Sequence, residues 1–263
     1  MAKRATVEGF LELLTNGTGL SPWAFMGLCA ISFVGSFIAA ALGLGGGILV
    51  LAVMALALPP TVLIPVHGVV QLGSNFGRAV LMSRRVLYSV VPAFVAGTLI
   101  GVAIGAHVVL TLPAWLLLAL LALFVLYGTW SRGFRSAIPG PGKFLAVGAV
   151  SSFVTMFVGA TGPLIAPFVA AASTERRQVV ATHAMLMSVQ HGVKVVAFGI
   201  LGFAFGPYAP LLIGLLAFGF VGTFVGGRVL ERLPEQVFRT GLRLILTVLA
   251  LRLGYDSLMN YPG

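Results

Sequence analysis

Apolar runs dominate the chain, and they recur at a length that matters. They lie near residues 22–42, 45–58, 62–82, 86–108 and 113–131, and again near 143–159, 162–173, 178–202, 208–227 and 238–258. A helix of about 20 residues crosses the hydrocarbon of a bilayer, and most of these runs approach that length. None alternates apolar with polar positions as a membrane β-strand does. The pattern predicts an all-α, polytopic membrane protein of about 8–10 hydrophobic helices. The second run of each set is short for a crossing and is predicted to be a broken or re-entrant helix.

The two sets match at a fixed offset. Adding 116 takes Ser36-Phe37 to Ser152-Phe153, Gly43 to Gly159, Gly46 to Gly162, His67 to His183 and Arg78 to Lys194. After a five-residue slip, an offset of 121 takes Gly101 to Gly222, Gly105 to Gly226 and Leu112-Pro113 to Leu233-Pro234. Apolar residues align by chance, but matched histidines, cations and Leu-Pro pairs do not do so readily. The predicted organisation is an N-terminal segment over 1–21, a first repeat over 22–131, a connector over 132–142 and a second repeat over 143–263. Residues 5–14 are weakly amphipathic and carry Glu8 and Glu12, unlike a cleavable signal, and are predicted to lie on the membrane surface.

Charge fixes how the repeats are related. Only 8% of the 263 residues are charged and 59% are hydrophobic, whereas about a quarter of a soluble domain is charged. The net charge of +10 does not imply a nucleic-acid partner, because the cations sit in short loops between spans. With five segments per repeat, Arg84-Arg85, the connector, Glu175-Arg176-Arg177 and the 228–239 loop share one side. The nearly uncharged turns at 59–61, 108–112 and 203–209 take the other. The positive-inside rule then makes the basic side cytoplasmic, both termini non-cytoplasmic and the repeats inverted, as in many secondary transporters. The expected location is the plasma membrane, the inner membrane of a bacterium. Apolar outer faces suit lipid or a second copy of the chain. Cys29 is the single cysteine, so no intrachain disulfide forms.

Two features carry the candidate chemistry. Gly43, Gly45, Gly46 and Gly47 interrupt an apolar stretch, and four glycines at roughly 1 kcal/mol each should break a helix. Thr161, Gly162 and Pro163 open the matching short segment of the second repeat, with Thr161 placed to cap it. Bare amides and the positive end of the helix dipole favour an anion at such a start. A bulky residue at Gly46 is expected to fill the space beside those amides.

The second feature is the third segment of each repeat. His67, Gln71, Ser74 and Arg78, with Asn75 beside them, fall on one helical face at spacings of four, three and four. His183, Gln190, His191 and Lys194 repeat that face, with Met187 at the place of Gln71. Together these residues predict a cationic, substrate-binding lining supplied by two helices, with the histidines donating hydrogen bonds or carrying a coupling proton. The competing reading sends Arg78 and Lys194 to the interface beside Arg84-Arg85.

Absences narrow the function further. None of Glu8, Glu12, Glu175, Glu231, Glu235 and Asp256 falls clearly within a span, which disfavours a cation pathway. No nucleotide-binding or hydrolase motif is present, so neither enzyme chemistry nor a cofactor is expected. Four scattered histidines and one cysteine make only a weak metal site.

The Gly43-Leu44-Gly45-Gly46-Gly47 motif after an apolar first span, the duplicated halves and the basic loops resemble the TauE/SafE family over roughly residues 22–258. The resemblance implies a carrier that moves small sulfur-containing anions such as sulfite, sulfoacetate or other organosulfonates outward. The second repeat departs from it, with Gly159-Ala160-Thr161-Gly162-Pro163 where more glycines are usual. A metal-ion or cation permease and a non-transporting membrane assembly factor are the alternative readings.

Overall fold

The computed structural model describes residues 15, 18–42, 45–130, 140–229 and 235–262. The surface segment expected at 5–14, Gly43, most of the connector and the Leu233-Pro234 pair lie outside them. Among the described residues the chain forms ten α-helices and no strand.

In chain order these are α1 (Pro22–Leu42), α2 (Gly46–Met54), α3 (Pro60–Leu81), α4 (Val91–Val109) and α5 (Ala114–Trp130). They are followed by α6 (Pro141–Val158), α7 (Gly162–Ala172), α8 (Arg176–Ile200), α9 (Ala209–Val229) and α10 (Glu235–Met259). The ten segments read from hydrophobicity each become one helix. At 9 and 11 residues and about 1.5 Å per residue, α2 and α7 extend about 14 and 17 Å, roughly half the hydrocarbon thickness. The stretch read as one segment over 45–58 ends its helix at Met54 and reaches Pro59 through turns.

The most polar helices sit deepest. Facing each other lengthwise, α3 and α8 bury His67, Asn75, Arg78, His183, His191 and Lys194 between them and their neighbours. Apolar side chains point outward instead, such as Leu99 and Ile104 on α4, Ile213 and Phe220 on α9, and Val248 and Leu251 on α10. That inversion of the soluble pattern suits a chain whose surroundings are hydrocarbon. Among the described residues three helical stretches, Pro22–Ala41, Tyr88–Val109 and Gly206–Arg228, are long and apolar enough to cross a membrane unaided.

Packing between the halves is reciprocal. Helix α4 of the first half lies along α6 of the second, and α9 of the second lies along α1 of the first. The contacts correspond residue by residue. A side chain on Gly101 would overlap the Ala149 carbonyl, and one on Gly222 the Phe33 carbonyl. Gly105 packs against Met156 and the Phe153 carbonyl, and Gly226 against the Phe37 carbonyl. Gly101 and Gly222 are partners at the 121 offset, and Phe33 and Ala149 at the 116 offset. The small-residue matches that sequence alone leaves to chance are thus contact positions where backbones touch.

Of the charged turns, two that are described meet at one end of the bundle. Arg85 pairs with Glu175, and the Leu87 amide donates to Thr182 Oγ1 at 2.9 Å, joining two charged turns at one end. At the other end, Pro60, Leu110, Leu112, Leu201 and Phe203 surround an apolar hollow of about 280 Å³.

Candidate functional site

Each half is broken where its glycines predict. Gly45, the N-cap of α2, has φ 95°, and Gly159, the C-cap of α6, has φ 79°. Both lie in the left-handed region that a side chain resists. From the break, α2 doubles back along α1, with Gly46 against the backbone of Gly35 and Ala39. Helix α7 leaves the second break with Pro163 in its first turn, where the missing amide hydrogen is not needed.

Two histidines hold these helix starts. His67 Nε2 donates to the Gly47 carbonyl at 3.0 Å, and His183 Nε2 donates to the Gly162 carbonyl at 3.2 Å. Because a carbonyl only accepts, the neutral rings carry their protons on Nε2 and leave Nδ1 as an open acceptor. Neither Nδ1 has a partner.

Both helix starts face one cavity of about 40 Å³. Gly45 and Gly47 line it from α2, Gly162 and Pro163 from α7, Gln71, Asn75 and Arg78 from α3, and His183, Met187 and His191 from α8. A volume of that size holds the equivalent of about three waters, the scale of a small oxyanion. The amides of Gly46, Gly47 and Ile48 open α2 with no intrahelical acceptor, the first closed turn being Leu49 to Gly45.

Arg78 is only 6% exposed and therefore does not reach an interface. Its Nη1 donates to the Ala39 carbonyl at 2.8 Å, its Nη2 to Asn75 Oδ1 at 2.7 Å and its Nε to the Ser74 carbonyl at 3.4 Å. Lys194, fully buried, donates through Nζ to the Gly159 carbonyl at 2.9 Å. Ala39 lies in the last turn of α1, and Gly159 ends α6. Each cation therefore caps the carbonyl end of the first helix of its own half. Such an end carries about half an elementary negative charge, which leaves both cations undercompensated. Among the described side chains the two carboxylates, Glu175 and Asp256, pair with Arg85 and Arg252 near the ends of the bundle.

The predicted site residues divide accordingly. Gly45, Gly47, Gln71, Asn75, Arg78, Gly162, His183 and His191 meet at the cavity. His67 and Lys194 lie beside it, with His67 edge-on to His191 at 6.1 Å between ring centres. Gly46 turns toward α1, so a bulky residue there collides with helix backbone instead of filling the cavity. That position is filled from Gly47, where an added carbon would lie 2.8 Å from Gln71 Oε1. Ser74 contributes its carbonyl to Arg78.

Thr161 occupies the cap position of α7, but its hydroxyl donates to Gln190 Oε1 at 2.9 Å. Gln190 in turn donates to Ser151 and Ser152 Oγ at 3.1 and 3.0 Å, which leaves it tying α6, α7 and α8 together. Gly43 lies outside the described residues. Met187 and Pro163 line the cavity without having been singled out as binding residues. Their signal was positional, since Met187 stands at the Gln71 offset and Pro163 follows Gly162. Among the described residues no group of three His, Cys, Asp or Glu side chains is placed to hold a metal ion.

The family model for the sulfite exporter TauE/SafE matches residues 28–253, from within α1 to within α10. The chain belongs to the TauE/SafE family. Neither the curated proteins nor the solved structures contain a match to it. Membership makes this a membrane protein of a family of sulfur-anion exporters, and both breaks and both polar helices fall inside the matched TauE/SafE region.

Proposed function

We propose that this TauE/SafE protein is a secondary carrier that exports a small sulfur oxyanion, sulfite or a short organosulfonate, by alternating access. The observation that carries this reading is the pairing of two helix N-termini with the undercompensated Arg78 guanidinium at one cavity. An anion there accepts hydrogen bonds from the amides that open α2 and charge-assisted bonds from Arg78. Asn75, Gln71 and His183 complete its polar surroundings. The matched offsets and the exchange of α4 and α9 between halves support two inverted repeats, whose rocking would expose the cavity first to one side and then to the other. On this reading the end with Arg84, Arg85 and Arg177 is cytoplasmic.

Efflux of labelled sulfite from proteoliposomes containing the purified chain tests the proposal. Export that saturates and that unlabelled sulfite inhibits is expected. Flux equal to that of empty vesicles, for sulfite and sulfonates alike, rejects it.

A further inference from the structure

The anion reading leaves His191 unexplained. Its ring is fully buried at the cavity wall, and neither Nδ1 nor Nε2 has a hydrogen-bond partner. His67 and His183 each anchor a helix start through Nε2, whereas His191 anchors nothing. A buried polar group without a partner carries a desolvation penalty of about 1–3 kcal/mol. A ring kept free in this way retains a lone pair for a mobile proton.

We infer that His191 is the proton-carrying residue of the transport cycle, so that one proton crosses with each anion. The inference rests on the carrier reading above. The titratable groups that face the ring are His67 and Arg78 from α3, and His183 and Lys194 from its own helix. Helices α2 and α7 contain none; on α6 the one such group is Lys143, near the far end of that helix, and the groups on α4 and on the 83–85 turn that also pack against α8, His107, Arg84 and Arg85, are exposed.

The sign of the coupling follows from these neighbours. With the cavity empty, Arg78 and Lys194 repel a further positive charge from His191. An anion at the cavity and a proton on the ring instead stabilise each other, and that linkage is reciprocal. The two therefore load together and leave together. The proton comes from water on the loading side, binds the free nitrogen and returns to water on the other side.

Proteoliposomes holding the full chain and sulfite, with a pH difference of one unit across the membrane, test this. One proton per anion shifts the equilibrium distribution of sulfite about tenfold per pH unit, moving it away from the acidic side. The native chain is expected to show that shift, and His191→Gln to show less than about a twofold shift at whatever rate it equilibrates. Because sulfite itself takes up protons, the variant is the deciding arm. A tenfold shift that survives in His191→Gln overturns the inference, as does a native distribution that ignores the pH difference. In both of those cases the carrier reading stands. Absence of any sulfite flux through the native chain removes that reading and this one with it.

Nitrogen-15 spectra of the imidazoles in the native, detergent-solubilised chain give a second readout that needs no variant. Sulfite added at constant, mildly alkaline pH should convert one ring to the protonated pattern. Spectra in which all four histidines stay unchanged overturn the inference.

Discussion

Arg78 and Lys194 occupy matching positions in the two halves but face different tasks. The planar fork of Arg78 spans Ala39, Asn75 and Ser74 while lining the cavity. Lys194, a point charge, makes one bond to Gly159 behind the histidines. Charge-assisted hydrogen bonds contribute about 1.5–3 kcal/mol each. Arg78→Ala is therefore expected to raise the half-saturating sulfite concentration about 10- to 100-fold, whereas Arg84→Ala on the exposed turn changes it less than about twofold. Arg78→Lys keeps the charge and loses the fork, so it should fall between them. Equal behaviour of Arg78→Ala and Arg84→Ala in concentration-dependent flux would show that Arg78 serves only to cap α1.

Neighbouring glycines make the same point with opposite signs. At Gly47 an added methyl meets the movable end of Gln71, so Gly47→Ala should fold normally and lose at least about tenfold of its transport. At Gly46 the methyl meets the Gly35 carbonyl, and overpacking of this kind costs about 1–3 kcal/mol. Gly46→Ala should therefore show a lowered melting temperature in detergent. Melting curves and flux on the same preparations check both, and a Gly46→Ala protein as stable as the native one contradicts the packing described.

At the scale of elements, the design problem is how half-length helices survive in a bilayer. Their exposed ends need partners inside the protein. Histidines from α3 and α8 bond the first turns of α2 and α7, and cations from the same two helices cap α1 and α6. The long polar helices thus satisfy carbonyls on both sides of both breaks, and leave the amides that open α2 to a bound anion. Close approach of α4 to α6 and of α9 to α1 frames this core. Gly101→Leu and Gly222→Leu each drive a side chain into a facing backbone, and should lower the yield of monodisperse protein several-fold. Gly227→Leu, also on α9 but with open space around it, should leave the yield unchanged. Size-exclusion profiles of the three variants decide this, and equal profiles would remove the close approach as a structural requirement.

For the whole molecule, alternating access requires one end to open while the other closes. Arg85 and Glu175 join turns from the two halves at the basic end. The pair is half-exposed and contributes at most about 1 kcal/mol, so it does not bar opening. A short bis-maleimide between cysteines at 85 and 175 should halt sulfite flux, while each single cysteine treated alike remains active. Cys29 is buried and should not react. Undiminished flux through a fully cross-linked protein would mean that these two turns do not separate during transport.

Much of this was legible from residue order. Apolar run length determined the helical membrane class and the ten segments, because crossing hydrocarbon leaves a chain few alternatives. Helix period placed His67, Gln71 and Arg78 on one face, glycine clustering located the first break, and Thr161-Gly162-Pro163 at the matching offset located the second. What residue order left open was direction around each break, and only packing resolves it. Gly46 and Gly47 are identical in the sequence, yet one meets a helix backbone and the other a cavity. Gln190 and His191 are adjacent and equally polar, yet the first is fully bonded and the second entirely free. Periodicity assigns a residue to a face of its own helix; which neighbour that face meets is decided by contacts from residues distant in the chain.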